Sequence, residues 1–251
     1  MKLSVIIITK NEAAHIGECL DSVAFADEIV VLDSGSTDET CSIARARGAR
    51  VEVSPDWPGF GRQKNRVLDL ATGDWVLSID ADERVTPELA RAIRQAVESP
   101  GADAYRIARL SNFCGRWIRH SGWWPDYVVR LFRRGAGRFT DAAVHERVQV
   151  QGRTATLSGH FLHYPYASLE VFVDKINRYS TEAAYGAFER GRRTTVLGPF
   201  GHGAWTFIRH YVLRRGFLDG WQGLVLAGMA ATGSFYRYVK LYWLGRQSRH
   251  S

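Results

Sequence analysis

Three acids within four positions, Asp80, Asp82 and Glu83, follow directly on the mainly apolar run Trp75–Ile79. Two carboxylates one residue apart suit a hard divalent cation, which prefers oxygen ligands. The apolar run is typical of a strand buried on both faces of a parallel sheet. Ligands of open α/β sheets bind at the carboxyl ends of such strands. The stretch therefore predicts a cation or ligand site, and the alternative is a solvated acidic turn before a helix.

The first hundred residues alternate strand and helix signals, which predicts a parallel sheet with right-handed crossovers. Asn11 and then Ser36 or Thr37 are candidate helix caps, and Thr86 with Pro87 marks the start of another helix. The predicted strands are Leu3–Thr9, Glu28–Asp33, Arg50–Val53 and Trp75–Ile79, and the later predicted helices are Gln63–Ala71 and Pro87–Val97.

A second acid, Asp33, also ends a predicted strand. Acids at this edge can hydrogen-bond a nucleoside and hold a metal on its diphosphate. The chain has neither a GxGxxG motif after its first strand nor a GxxxxGK[ST] motif, which disfavours a dinucleotide oxidoreductase and a P-loop NTPase. Its three cysteines form no CxxC pair, which disfavours a zinc site or disulfide framework and fits a reducing compartment.

From about residue 101 the pattern changes to short strands, predicted at Ala104–Arg109, Tyr127–Arg133 and Thr154–Leu162, which extend or flank the sheet. Asn112–Trp124 is predicted to be an irregular loop. Its Trp117, Trp123 and Trp124 either stack on a sugar or fill a core.

The motifs VIIITKNE at 5–12, DSGSTD at 33–38 and DADE at 80–83 resemble, in order and spacing, the inverting family 2 glycosyltransferases. Further segments, among them WPD at 124–126, RLFRR at 130–134, VHE at 144–146 and FLDG at 217–220, resemble the bacterial lipopolysaccharide core β-1,4-glucosyltransferase group. The resemblance implies an α/β GT-A fold, which is Rossmann-like and binds a nucleotide sugar. It covers nearly the whole chain.

The resemblance also implies roles for single residues. Thr9 and Glu12 are expected near the nucleotide, and Asp33 at the uracil or ribose. Asp80 is expected near ribose and metal, and Asp82 as a ligand of Mg²⁺ or Mn²⁺ on the diphosphate. Many family members have a second Asp where this chain has Ser34, which leaves open the residue that reads the base.

An inverting transfer requires a base for the acceptor hydroxyl and charge stabilisation for the leaving diphosphate. Glu146 is the favoured base, with Asp126 and Asp141 as competitors. His145 is a candidate second metal ligand or orienting residue. The candidates for contact with phosphate oxygens are Arg62, Lys64 and Arg130; each is also explained as an ordinary surface charge.

The basic character of the chain belongs to its tail, since residues 190–251 hold ten Lys or Arg and a single acid, Asp219. We predict a GT-A catalytic domain at 1–165, with a nucleotide-binding half at 1–100 and an acceptor-side half at 101–165. A basic amphipathic helical region follows at 166–251. Its apolar run Leu224–Tyr236 is shorter than the ~20 residues of a spanning helix, and its aromatic and Arg content suits a helix lying in the membrane interface.

Together these features predict a metal-dependent hexosyltransferase, peripheral on the cytoplasmic face of the inner membrane. The expected partners are a UDP-sugar donor such as UDP-glucose, a glycolipid acceptor of the lipopolysaccharide inner core and an anionic membrane surface, but not nucleic acid. Other acceptors, such as another envelope polysaccharide or a polyprenyl phosphate, stay open. The remaining alternatives are a sugar nucleotidyltransferase, a non-catalytic membrane-bound subunit, and a tail that only packs on the catalytic domain.

Overall fold

The computed structural model describes residues 1–141, 147–166 and 168–248. The chain divides into two compact units. The first comprises Met1–Leu110 and Asp126–His163, and the second comprises Ser111–Pro125 and Tyr164–Ser251. The predicted functional division at residue 165 stays a prediction.

The first unit begins with the alternation that the sequence predicts. Its elements are β1 Leu3–Thr9, α1 Ile16–Ser22, β2 Glu28–Asp33, α2 Thr40–Ala46, β3 Arg50–Val53, α3 Phe60–Leu70, β4 Trp75–Ser78, β5 Glu83–Val85 and α4 Pro87–Glu98. Thr86 caps α4 as predicted, since its hydroxyl accepts a hydrogen bond from the Leu89 amide at 3.3 Å. The short strand β5, which the sequence analysis missed, begins at Glu83, the last of the acids at 80–83.

The caps predicted for the first two helices are wrong. Asn11 has a positive φ of 56° and lies well before α1, and its side chain instead accepts a hydrogen bond from the Thr37 amide. Neither Ser36 nor Thr37 caps α2, which begins only at Thr40. Both predictions fail because these polar side chains bind across to another loop rather than to the nearest helix.

The remaining strands of the first unit are β6 Ala104–Phe113, which runs on into the second unit, β8 Asp126–Arg133, β9 Gly137–Phe139, β10 Val148–Val150 and β11 Thr154–His163. The large sheet has the order β3-β2-β1-β4-β8-β6-β11-β5. Strands β3, β2, β1 and β4 are parallel, whereas β8 pairs antiparallel with β4 and with β6. The carboxyl ends of β1, β2 and β4 therefore meet at one edge, and antiparallel strands flank the parallel half as expected.

Helices cover both faces of this sheet. On β1, Val5 and Ile7 face a core shared with α1 and α4, whereas Ile6 faces a core shared with α3. Each such buried side chain contributes roughly 1.5–3 kcal/mol relative to its exposed state. The parallel strands are apolar throughout because they are covered on both faces, and this fixes the edge at which their polar last residues lie.

The second unit is mainly helical. Residues Asn112 and Phe113 at the end of β6 pair with β7 Arg116–Trp117, so the loop predicted at 112–124 contains a hairpin. The helices are α5 Leu169–Glu189, α6 Gly198–Ile208 continued by a π-helical turn at Arg209–Leu213, a 3₁₀ turn at Gly216–Asp219, and α7 Gly220–Gln247. No helix of the described residues is both long and apolar enough to cross a membrane.

Candidate nucleotide-sugar site

The loops that follow β1 and β2 are held together by polar side chains. The Thr37 amide donates to Asn11 Oδ1, and the Asn11 amide donates to Ser36 Oγ, each at 2.8 Å. The Glu12 amide donates to the Thr40 hydroxyl at 2.8 Å. Hydrogen bonds therefore join the segment 34–38 and the segment after β1 into one surface.

Asp33 is the central hydrogen-bond acceptor of this surface. Its carboxylate accepts hydrogen bonds from the Thr9 hydroxyl, the Gly35 amide, and both the amide and the hydroxyl of Ser36. Burial opposes its ionisation, but these donors outweigh burial and lower the pKa of Asp33. Asp33 is 1% exposed and Thr9 4%. Four hydrogen bonds fill the acceptor capacity of a carboxylate, so in this structure Asp33 holds the loop, and its contact with uracil or ribose stays a prediction.

Ser34, where relatives often have a second Asp, is also turned inward. It is 1% exposed, and its hydroxyl accepts a hydrogen bond from the Gln63 side chain at 3.1 Å. Gln63 is itself buried on α3. Neither position 33 nor position 34 presents an exposed side chain, so the residue that reads the base stays open.

Asp80, just beyond the end of β4, lies between two cations. Lys64 Nζ on α3 is 3.0 Å from Asp80 Oδ1, and the Arg130 guanidinium on β8 bonds both carboxylate oxygens. Although burial opposes ionisation, the charges of Arg130 and Lys64 hold the pKa of Asp80 well below its usual range. The three predicted residues Lys64, Asp80 and Arg130 are thus brought together at the carboxyl edge of the sheet.

Like Arg109, Glu83 belongs to this cluster and was assigned no role by the sequence analysis. It is fully buried, and its Oε1 lies 3.2 Å from Arg130 Nη2 and 3.5 Å from Arg109 Nη1. Its Oε2 accepts a hydrogen bond from the Asp80 amide at 3.0 Å. Local sequence shows Glu83 only as the last acid of the stretch at 80–83. Its role was missed because its partners come from β6 and β8.

Arg109 extends the cluster to Asp126, whose Oδ2 accepts hydrogen bonds from its Nε and Nη2. The network therefore holds three cations and three acids, Lys64, Arg109 and Arg130 against Asp80, Glu83 and Asp126. A buried charge is costly when it has no partner, and each buried charge of this network is paired with an opposite charge. We name these six residues the charged cluster.

Asp82 stands apart from the charged cluster. Its side chain is 28% exposed, and its Oδ2 lies 3.5 Å from Nε2 of His163, the last residue of β11. His163 was missed because nothing local marks it. No group of three or more His, Cys, Asp or Glu among the described residues forms a cation cage. Asp82 and Asp80 offer oxygen ligands of the kind that Mg²⁺ and Mn²⁺ accept when phosphate and water complete the shell, so the residues present fit a shared cation and do not fit a closed protein cage.

The other predicted site residues are placed less tightly. Asp141 is exposed, and Glu12 is partly buried. Trp117, Trp123 and Trp124 belong to the second unit, where Trp123 packs on Phe113 and Phe172. For Trp123 this confirms the core alternative. His145 and Glu146 lie outside the described residues, so the assignments of metal ligand and base to them stay predictions.

Comparison with known proteins agrees with this geometry. The model of the family "Glycosyl transferase family 2" matches residues 4–149. A glycosyltransferase of Rickettsia typhi is 33% identical over 99% of this chain and 89% of its own length. The lipopolysaccharide core biosynthesis glycosyltransferase LpsC of Rhizobium meliloti is 30% identical over 96% of this chain and 92% of its own length.

A solved structure supports the fold. Residues 1–349 of Staphylococcus aureus TarS, solved in complex with UDP, align with 99% of this chain and 92% of that chain, at 20% identity and a TM-score of 0.51. At this identity the likeness concerns the fold, and it agrees with the predicted GT-A architecture. The parallel half-sheet, the acids at its carboxyl edge and the family match lead to one conclusion: the chain belongs to glycosyl transferase family 2, and it is a glycosyltransferase similar to an enzyme of lipopolysaccharide core biosynthesis.

Proposed function

We propose that this glycosyltransferase moves a hexose, glucose by preference, from a UDP-sugar to an inner-core lipopolysaccharide or related glycolipid acceptor, with inversion at the anomeric carbon. The observation that carries the proposal is the charged cluster at the carboxyl edge of β1, β2 and β4, with the partly exposed Asp82 beside it. Similarity to LpsC supports the acceptor class. Another envelope polysaccharide or a polyprenyl phosphate is the alternative acceptor.

Lys64 and Arg130 are proposed to bind the diphosphate of the donor. Both are nearly buried, with 5% and 6% of their side chains exposed, and both face Asp80. A diphosphate offers them the same kind of anionic oxygen that Asp80 now supplies. Binding would therefore redistribute existing ion pairs rather than require new cations to be ordered.

Asp82, with Asp80, is proposed to hold Mg²⁺ or Mn²⁺ on the diphosphate. His163, which neighbours Asp82, and the predicted His145 are candidate additional ligands. When bound, the cation supplies Lewis-acid stabilisation of the negative charge on the departing UDP. The protein then contributes an oriented carboxylate and the surrounding cations.

The transfer forms a bond from the acceptor hydroxyl oxygen to the anomeric carbon and breaks the bond from that carbon to the β-phosphate oxygen. The hydroxyl proton passes to a carboxylate base, for which Glu146 is proposed first and Asp126 and Asp141 next. Asp126 is already engaged through Oδ2 by Arg109. Its use as the base therefore requires its other oxygen or a change of partner.

A glycolipid acceptor places the reaction at a lipid surface, and we propose that the protein works peripherally at the cytoplasmic face of the inner membrane. Nucleic acid is not proposed as a partner, because the basic residues belong to an apolar tail.

The test is transfer by the full chain, with a panel of UDP-sugars, Mn²⁺ or Mg²⁺, and extracted glycolipid acceptors, followed by the mass of the product lipid. The proposal expects a gain of one hexose and release of UDP, whereas release of pyrophosphate would instead indicate a nucleotidyltransferase. Asp82→Ala should lose transfer, and Glu98→Gln, an exposed carboxylate at the end of α4, serves as the matched control. Full activity of Asp82→Ala with the metal chelated would refute the role of Asp82.

A further inference from the structure

Helix α6 presents a stripe of large apolar side chains that are largely exposed, although Phe200 also packs edge to face on Phe235 of α7. Leu197, Phe200, Trp205 and Ile208 are between 44 and 72% exposed. At 100° per residue these positions fall within an arc of about 140° on one side of the helix. A stripe of this width normally faces a core, so its exposure requires an explanation.

The other side of α6 is already used. Pro199 and Gly203 are buried, and a Cβ on Gly203 would lie 3.4 Å from the Ala231 carbonyl of α7. His202 stacks on Tyr238 of α7 with ring centroids 3.6 Å apart. Because α6 packs on α7 through this opposite face, the exposed stripe does not arise from a helix lying free.

A run of exposed apolar side chains continues along the chain past α6, through the π-helical turn, the 3₁₀ turn and the start of α7. The side chains that continue it are 46 to 61% exposed: Val212, Leu213, Phe217, Leu218, Trp221 and Leu224. We name the ten residues of the two sets the apolar edge.

Charge indicates what covers the apolar edge. Arg209 and Arg215 lie between residues of the apolar edge in the chain and are exposed, whereas Asp219, the one acid between residues 190 and 251, is 2% exposed. The Asp219 carboxylate accepts hydrogen bonds from the backbone amides of Arg119 and His120. The positive charge beside the edge is therefore not offset by an exposed acid of the same segment.

Two occupants match an exposed apolar surface, namely a second copy of the chain and a lipid bilayer. A two-fold dimer through this edge would bring Arg209 and Arg215 of both copies together, which like-charge repulsion opposes. An anionic bilayer instead takes Trp, Phe and Leu into its interface and places Arg at the headgroups.

We infer that the apolar edge inserts into the interface of an anionic membrane, with Arg209 and Arg215 at its headgroups. The inference depends on the proposed function only for the leaflet in which the acceptor lies. It adds the residues that would dock the enzyme there.

The test is sedimentation of the full chain with vesicles of phosphatidylcholine alone or with anionic phosphatidylglycerol, without donor or acceptor. We expect binding to the anionic vesicles, and Leu197→Ser/Trp205→Ser/Ile208→Ser should weaken it by at least about tenfold, because three large side chains leave the lipid. Arg209→Gln/Arg215→Gln should remove most of the preference for anionic lipid. The control Val173→Ser/Tyr185→Ser removes exposed apolar side chains from α5 and should bind like the unaltered chain.

Circular dichroism and thermal unfolding establish that each variant is folded, which the exposure of all substituted residues favours. No vesicle binding by the unaltered chain, or equal binding by the triple variant, would overturn the inference. So would a dimer in light scattering that the triple variant dissociates, since that result assigns the edge to a second copy. Because the vesicles contain neither donor nor glycolipid, these results are independent of whether the proposed transfer occurs.

Discussion

Two acids at the carboxyl ends of β2 and β4, the strands on either side of β1, are satisfied in opposite ways. Asp33, at the end of β2, is held by neutral donors, namely two hydroxyls and two backbone amides. Asp80, just after β4, is held by Lys64 and Arg130. Both environments lower the pKa of the acid, but by hydrogen bonding at Asp33 and mainly by opposite charge at Asp80.

The difference distinguishes Asp33, which has a structural role, from Asp80, whose ion pairs we expect a bound ligand to replace. Three of the four donors around Asp33 belong to the loop that it shapes and the fourth, the Thr9 hydroxyl, to the end of β1, so moving them would disrupt the loop. The cations around Asp80 lie on two separate elements, α3 and β8, and can donate to another anionic oxygen in place of the Asp80 carboxylate. We therefore expect the Asp33 region to hold its geometry on donor binding and the Asp80 region to change its ion pairs.

The largest expected effect concerns Glu83, the fully buried acid that pairs with Arg130 and Arg109 beside Asp80. Glu83→Gln leaves Arg130 and Arg109 short of a buried negative charge, and we expect a loss of roughly 3–5 kcal/mol in the free energy of unfolding. Urea unfolding at pH 7 measures it. The exposed carboxylate Glu98, changed to Gln, should cost less than about 0.5 kcal/mol. An equally small loss in Glu83→Gln would show that the charged cluster is not held by this residue.

Asp80→Asn should destabilise by about 1.5–3 kcal/mol at pH 7, because charged hydrogen bonds to Lys64 and Arg130 are lost. The folded-state pKa of Asp80 is lowered, so its contribution is present above the unfolded value of about 3.9 and is lost as pH falls further toward the folded pKa. The stability difference between the variant and the unaltered chain should therefore shrink below about pH 4. A difference that stays constant down to pH 2 would contradict the ionised state assigned to Asp80.

Asp33→Asn should cost about 1–3 kcal/mol, because the acceptor of four hydrogen bonds loses its charge and one of its two oxygens is replaced by a donor. A double-mutant cycle sharpens the comparison with Asp80. Asp80 and Lys64 should show coupling of about 0.5–3 kcal/mol, whereas Asp33 and Lys64 should be additive within about 0.5 kcal/mol. Equal coupling in both cycles would remove the distinction between the two acids.

Lys64→Met should weaken UDP binding by roughly tenfold, because one charge-assisted contact to the diphosphate is removed. Uridine, which has no phosphate, is the matched ligand, and its binding should change little. Isothermal titration of both ligands measures the two effects. Equal losses for UDP and uridine would indicate a damaged fold rather than a lost phosphate contact.

The sequence anticipated the parts of this site that local pattern determines. The apolar runs located β1, β2 and β4, and Thr86-Pro87 located the start of α4, because burial on both faces and capping leave local signatures. Asp80 was placed in the site from its position at a predicted strand end and from the family resemblance, and Lys64 and Arg130 were named as candidates for contact with phosphate oxygens.

What escaped prediction depends on residues that are distant in sequence. Glu83 meets Arg109 and Arg130 only because β8 lies beside β4 and β6 lies beside β8 in the sheet, an order that the chain does not reveal locally. His163 reaches Asp82 because β11 pairs with β5, with His163 opposite Glu83. Asn11 was mistaken for a cap because its partner, Thr37, lies in another loop.

The central claim is that Asp82 holds a divalent cation on the diphosphate of the donor. Titration of UDP into the full chain with and without Mn²⁺ tests it most directly, using the unaltered protein, Asp82→Asn and the control Glu98→Gln. We expect Mn²⁺ to strengthen UDP binding by at least about tenfold in the unaltered chain and the control, and to leave Asp82→Asn unchanged. Strengthening of equal size in Asp82→Asn would contradict the claim.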